Sequence, residues 1–141
     1  MLSKTAEYAL RAVVCLGRNT CRTASADELA EQTEVPRRYL HKVLQDLGRA
    51  GIVQSFSGPG GGYSLALRPE KVTLLEVVNG VAPLERIRAC PLGRQSHTKL
   101  CPLHQELDRV YEATETAFSR VTIAQLLEPS KQSVSPLCEA S

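Results

Sequence analysis

No apolar run in this 141-residue chain approaches the length of a membrane-spanning helix, and its N-terminus lacks the apolar core and cleavage site of a secretory signal. Those absences point to a cytoplasmic protein without a membrane partner. Internal repeats are missing as well, which excludes a solenoid or array. No nucleophile, base and orienting group fall at a recognisable spacing, so an enzyme is not expected. The glycines of residues 58–62 lead into Tyr63 and an alternating run, not into Lys-Ser/Thr and a helix, which excludes a Walker-type phosphate loop. A formal net charge of +2 is too small to identify a partner by itself. Five cysteines is an odd number, and a cytoplasmic setting disfavours a disulfide framework, which leaves metal binding, redox sensing or packing for each thiol.

Hydrophobic periodicity carries the positive signal. Residues 3–17 place Ala6, Ala9, Leu10, Val13, Val14 and Gly17 on one helical face behind a Ser3 cap. Glu7 and Arg11 lie off that face at an i,i+4 spacing, an ion pair worth about 0.3 kcal/mol. Cys15 sits beside the apolar face as packing. Ser25 followed by Glu28 has capping-box spacing for a short second helix ending near Thr33. Pro36 suits the first turn of a third helix, with Leu40, Val43, Leu44 and Leu47 as its inner stripe and Gly51 as its stop. The opposite face carries Arg38, His41, Lys42, Gln45 and Arg49, all hydrogen-bond donors. Between Pro36 and Arg68 five basic residues stand against one acid, Asp46, a local excess that can favour a polyanion, although a solvated basic face is the commoner meaning of such a cluster.

Residues 52–56 and 63–67 read as two strands flanking a Gly-rich hairpin tip. A helix-turn-helix followed by such a hairpin is a winged helix. The expected fold is therefore mainly α with a small β-hairpin wing, followed by a long C-terminal dimerisation helix. Wing glycines permit positive φ and close approach to another surface. On that reading, Gly61→Val weakens DNA binding and spares the fold. Residues 73–81 form a short closing helix, and residues 84–101 lack periodicity. The long helix then follows, its stripe drawn by Leu103, Leu107, Val110, Tyr111, Phe118 and Val121. So long an exposed apolar stripe needs a partner, and a homodimer supplies one. The expected organisation is a DNA-binding domain over 1–82, a sensing loop over 83–101, a dimerisation helix and C-terminal segment over 102–128, and a disordered tail over 129–141.

Cys90, His97, Cys101 and His104 fall within fifteen positions. Such a donor set suits tetrahedral zinc or a Cys2His2 iron–sulfur site; the alternative is a loop of reduced cysteines with exposed histidines.

The order Glu7-Tyr8-Ala9-Leu10, then residues 35–66, then 73–81 closely resembles the Rrf-two type of bacterial winged-helix regulators, which includes the IscR, NsrR and CymR groups. The resemblance covers roughly residues 1–127. It implies a dimeric DNA-binding transcription regulator, repressor-like, with the third helix in the major groove and the wing at the minor groove. The DNA contacts it implies are Arg37, Arg38, Tyr39, His41, Lys42 and Gln45 on that helix, and Ser57, Gly58, Pro59, Gly60 and Gly61 in the wing. The implied target is an inverted-repeat operator in double-stranded DNA. The resemblance also implies an iron–sulfur cluster, 2Fe–2S in preference to 4Fe–4S, with Cys90 as first ligand and Cys101 as last. The fourth ligand would come from His104, His97 or Glu7 of the partner subunit. The family's middle cysteine has no counterpart here, and Ser96 and His97 occupy its neighbourhood. The function expected is a homodimeric regulator sensing redox state, iron–sulfur status or nitric oxide. Its rivals are a cluster-free thiol- or zinc-responsive regulator and a winged-helix protein-docking module.

Overall fold

The computed structural model describes residues 2–84 and 102–128, which form six α-helices and one two-stranded sheet. Helix α1 (Lys4–Arg18) lies at the centre. Ser3 caps it, its Oγ accepting from the Ala6 N–H at 3.1 Å. Every residue from Ala12 to Gly17 is buried, because α2 (Ala26–Thr33), α3 (Arg37–Arg49), α4 (Leu74–Val81), α6 (Ile123–Leu127) and β2 (Gly62–Leu65) all pack around it. The one-sided stripe expected from periodicity is too narrow for this half of the helix. Cys15 is buried there, as packing predicts, with its Sγ donating to Gln32 Oε1 at 3.0 Å.

Ser25 caps α2 by accepting from the Glu28 N–H at 3.1 Å. Pro36 stands one residue outside the first turn of α3, in the cap position. Its ψ of 133° is extended, and its carbonyl accepts from the Leu40 N–H at 3.1 Å. The stripe of Leu40, Val43, Leu44 and Leu47 is buried as expected. Gly51 ends the helix at φ +78°, the left-handed position that glycine takes without steric cost.

Strand β1 (Val53–Phe56) pairs antiparallel with β2, Val53 facing Leu65 and Phe56 facing Gly62, which leaves residues 57–61 as the wing tip. The other edge of β2 is also occupied. Ala24 and Tyr63 exchange backbone hydrogen bonds of 2.9 and 2.8 Å, so the loop before α2 acts as a third edge.

Helix α5 (Pro102–Ser119) has 18 residues and is about 27 Å long at 1.5 Å per residue; it packs chiefly on α4. It stops short of Val121, contrary to the expected stripe. The Val121 carbonyl accepts from Leu74 N–H at 2.9 Å, and the Ile123 N–H donates to Val72 O at 2.8 Å. These bonds turn the chain back onto the winged domain, where Thr122 and Gln125 form a reciprocal capping box opening α6. Ile123 is fully buried against α1. A Cβ on Gly17 would stand 3.3 Å from Ile123 Cγ2 and 3.2 Å from Leu127 Cδ1, so the missing side chain is what lets α6 come this close.

No helix among the described residues is long and apolar enough to cross a membrane. Cys90, His97, Cys101 and the tail from 129 lie outside the described residues.

Candidate nucleic-acid interface

Burial of the leucine stripe of α3 forces the other side of the helix outward. That side and the adjoining face of the hairpin line one open groove. Arg38, His41, Lys42 and Gln45 come from α3, and Gln54, Ser55 and Tyr63 from the strands. Arg49 joins them, and none of the residues lining the groove is acidic. Four of the predicted contact residues are therefore brought together. Gln54, Ser55 and Tyr63 are additions that the sequence reading misses; beyond the buried Val53 the rest of β1 is exposed without alternation, so period-two patterning gives no signal for them.

The remaining helix candidates are placed differently. Arg37 pairs with Asp27 on α2 at 2.7 Å, with both side chains more than half exposed. Such a pair is worth under about 1 kcal/mol, too little to hold Arg37 against a phosphate. Tyr39 is exposed. Its ring packs against Tyr8 of α1 with centroids 6.0 Å apart, and the Arg38 guanidinium lies 4.7 Å from its centroid. Arg38 also donates to the Tyr39 hydroxyl at 3.0 Å. The first turn of α3 thus presents a cation on an aromatic platform anchored to the central helix.

Ser57, Gly58, Pro59 and Gly60 are exposed at the wing tip, and Gly61 is half-buried. The glycines are not equivalent. Gly58 at φ +86° and Gly60 at φ +76° would point a Cβ into open space. A Cβ on Gly61 would collide with the Phe56 carbonyl oxygen and stand 2.8 Å from Gly58 O. Gly61→Val would therefore disrupt the hairpin itself, which corrects the expectation that it spares the fold. Pro59 is the cleaner probe. Pro59→Glu should weaken binding to specific and random duplexes alike by about 1 kcal/mol, the repulsion of one close charge pair in water. Its melting temperature should stay near wild type while that of Gly61→Val falls. Equal binding by Pro59→Glu and wild type in a fluorescence-anisotropy titration would remove the wing from the interface.

Two of the predicted metal ligands are described. Glu7 is half-exposed and pairs with Arg11 at 2.8 Å, the i,i+4 contact that its spacing suggests. His104 is buried in the first turn of α5. No group of three or more His, Cys, Asp or Glu placed to hold a metal occurs among the described residues.

A winged helix-turn-helix whose outward helix face and hairpin share an acid-free, basic groove is the architecture of a DNA-binding protein. The chain belongs to the Rrf2 family, described as iron-dependent transcriptional regulators, whose model it matches over residues 2–129. It is a transcription regulator and not an enzyme. It is 28% identical to a protein of Aquifex aeolicus named as an HTH-type transcriptional regulator, over 97% of this chain and 98% of that one. Its fold is similar to CymR, the global cysteine regulator of B. subtilis, at a TM-score of 0.75 and 20% identity over 89% of this chain and 95% of that one. It is equally similar to IscR of T. potens, at a TM-score of 0.75 and 19% identity over 94% and 93%.

Proposed function

We propose that this regulator works as a homodimer that places two copies of α3 in successive major grooves of an inverted repeat and rests its wings on the flanking backbone. The observation that carries the reading is the acid-free groove shared by Arg38, His41, Lys42, Gln45 and the hairpin. Arg reads guanine and Gln reads adenine through paired hydrogen bonds, while Lys and Tyr suit phosphates. The dimer is supported by α5. Leu103, Leu107, Val110 and Tyr111 follow one another at i, i+4, i+7 and i+8 and are all exposed, Leu103 at 64% and Val110 at 50%. A second copy of the same stripe is its natural cover, and two-fold symmetry in the protein demands it in the DNA.

The signal we assign to this chain is redox state, iron–sulfur status or nitric oxide, received by a 2Fe–2S cluster at Cys90 and Cys101. The family's description as iron-dependent supports this. The donors fit such a group: two thiolates are the soft ligands it needs, and His104 offers an imidazole from a helix three residues past Cys101. Glu7 would have to leave Arg11 to serve instead. Bound there, a cluster supplies a centre whose charge and ligation respond to oxidants, iron supply and nitric oxide. The chain's own contribution is mechanical. Cys101 directly precedes α5, α5 packs on α4, and α4 packs on α3, so movement at the head of α5 is felt by the reading helix. The missing middle cysteine favours a second reading, a cluster-free regulator responding through thiol oxidation or zinc at the same two cysteines.

Anaerobic reconstitution with iron and sulfide should give a coloured dimer. Cys90→Ser or Cys101→Ser should lose the visible absorbance, stay dimeric and bind DNA with altered affinity. His104→Ala should shift the spectrum or shorten the cluster's lifetime. A wild-type protein that takes up no stoichiometric iron and sulfide would contradict the cluster and leave the thiol or zinc reading.

A further inference from the structure

We propose that Thr23 is a positioning residue for DNA binding, its hydroxyl holding the wing tip in the posture that meets the phosphate backbone. The proposal rests on the DNA-reading function above. Beyond the Phe56–Gly62 pair, three hydrogen bonds among the described residues tie the tip, two of them shared by one hydroxyl. The Gly61 N–H donates to Gly58 O at 2.9 Å, closing the turn internally. Thr23 Oγ1 donates to Gly60 O at 2.8 Å and is the bond that fastens the tip to the body of the domain. The same hydroxyl lies 3.5 Å from Gly61 O.

The neighbouring backbone shows that this contact is built in. Ala24 exchanges two hydrogen bonds with Tyr63, which lays the loop along β2. Gly62, at φ +146°, makes room for it: a Cβ there would stand 2.5 Å from Ala24 O and 2.7 Å from Ala24 C. Glycine at 62 therefore brings the loop against the hairpin, and the Thr23 hydroxyl extends that contact by two residues into the tip. A two-stranded hairpin of four residues a side is marginal by itself, and a tip rich in glycine has much conformational entropy to lose. Fastening it before DNA arrives removes that ordering cost from binding. Thr23 lies outside α3 and outside the wing, so it acts through Gly60 and touches no base.

The test uses the full chain and a labelled random-sequence duplex, because the wing's backbone contacts are independent of sequence. Thr23→Val keeps the shape and removes the donor. It should bind about five-fold more weakly, the size of one net hydrogen bond. Its melting temperature should fall by no more than the few degrees that one hydrogen bond is worth, leaving the protein fully folded at the assay temperature, and the Gly61 amide should exchange faster with solvent. Thr23→Ser, which restores a hydroxyl, should return both affinity and exchange to wild-type values. Wild-type affinity in Thr23→Val, or loss of affinity in Thr23→Ser equal to that in Thr23→Val, would overturn the positioning role and leave the DNA-reading function standing. A fall in the melting temperature of Thr23→Val that accounts for its weaker binding would mark the residue as structural and overturn the proposal too. Failure of the wild type to bind any duplex would overturn the DNA-reading function, and this role with it.

Discussion

Ile123→Ala should destabilise the folded protein by about 3 kcal/mol, within the range for a buried aliphatic side chain whose removal leaves a cavity. The side chain is fully buried and meets the bare face of Gly17, so the space it vacates is walled by the central helix. Collapse into that space is opposed by the two backbone bonds that pin the segment, Leu74 N–H to Val121 O and Ile123 N–H to Val72 O. Leu126, three residues on, is 41% exposed and gives an internal control. Leu126→Ala should cost under about 1 kcal/mol, as a half-exposed truncation does. Urea unfolding followed by circular dichroism separates the two. Equal, small effects would show that residues 121–127 do not pack into the winged domain. The consequence reaches function, because this segment fastens the far end of α5 to the same core that carries α3. Loosening it should weaken any coupling between α5 and DNA affinity.

The second large effect concerns base reading. In Arg38→Ala/Gln45→Ala the preference for a specific site over random DNA should fall by about 1–3 kcal/mol for each base that is no longer read through paired hydrogen bonds. Both side chains line the groove, and neither contributes to the buried stripe, so the fold should tolerate the change. Arg38 has a further role in the uncomplexed protein, where it lies over the Tyr39 ring and bonds the Tyr39 hydroxyl. That platform limits the rotamers the guanidinium must lose on binding. Lys42→Ala should behave differently, weakening specific and random binding alike and reducing the slope of log affinity against log salt by about 1. An unchanged specificity ratio in the double variant would remove Arg38 and Gln45 from the reading set.

The parts of the fold legible in the sequence are those governed by local rules. Ser3, Ser25 and Thr73 cap their helices as short polar residues do, and Gly51 stops α3 at positive φ. The leucine stripe of α3 determines which side faces out, and so exposes the basic face of the groove. Pairings between distant segments are not legible. Helix α6 depends on backbone bonds linking residues 72–74 to 121–123, and the third edge of the hairpin depends on residue 24 meeting residue 63. A capping signal is present at Thr122 and Gln125, but the apolar stripe of α5 continues in the letters as far as Val121 and masks it. The run of four wing glycines shows the same limit. As letters they are identical, yet Gly58 and Gly60 face open space while Gly61 and Gly62 are hemmed in by Phe56, Gly58 and Ala24. Cys90, His97 and Cys101 are legible as soft and nitrogen donors by type alone.

The most direct test of the account is selection of DNA by the wild-type protein from a pool of random-sequence duplexes, followed by anisotropy titrations of the enriched sites at several salt concentrations. The groove of α3 and the hairpin, presented twice by a dimer, predicts enrichment of an inverted repeat with half-sites about one helical turn apart, or a multiple of that. Affinity should fall steeply with salt as Lys42, Arg38 and their symmetry mates displace counterions, and the selected site should exceed random DNA by at least about 10³-fold. A pool that remains unenriched after repeated rounds, or binding that ignores salt, would contradict the assignment of this surface as a DNA reader.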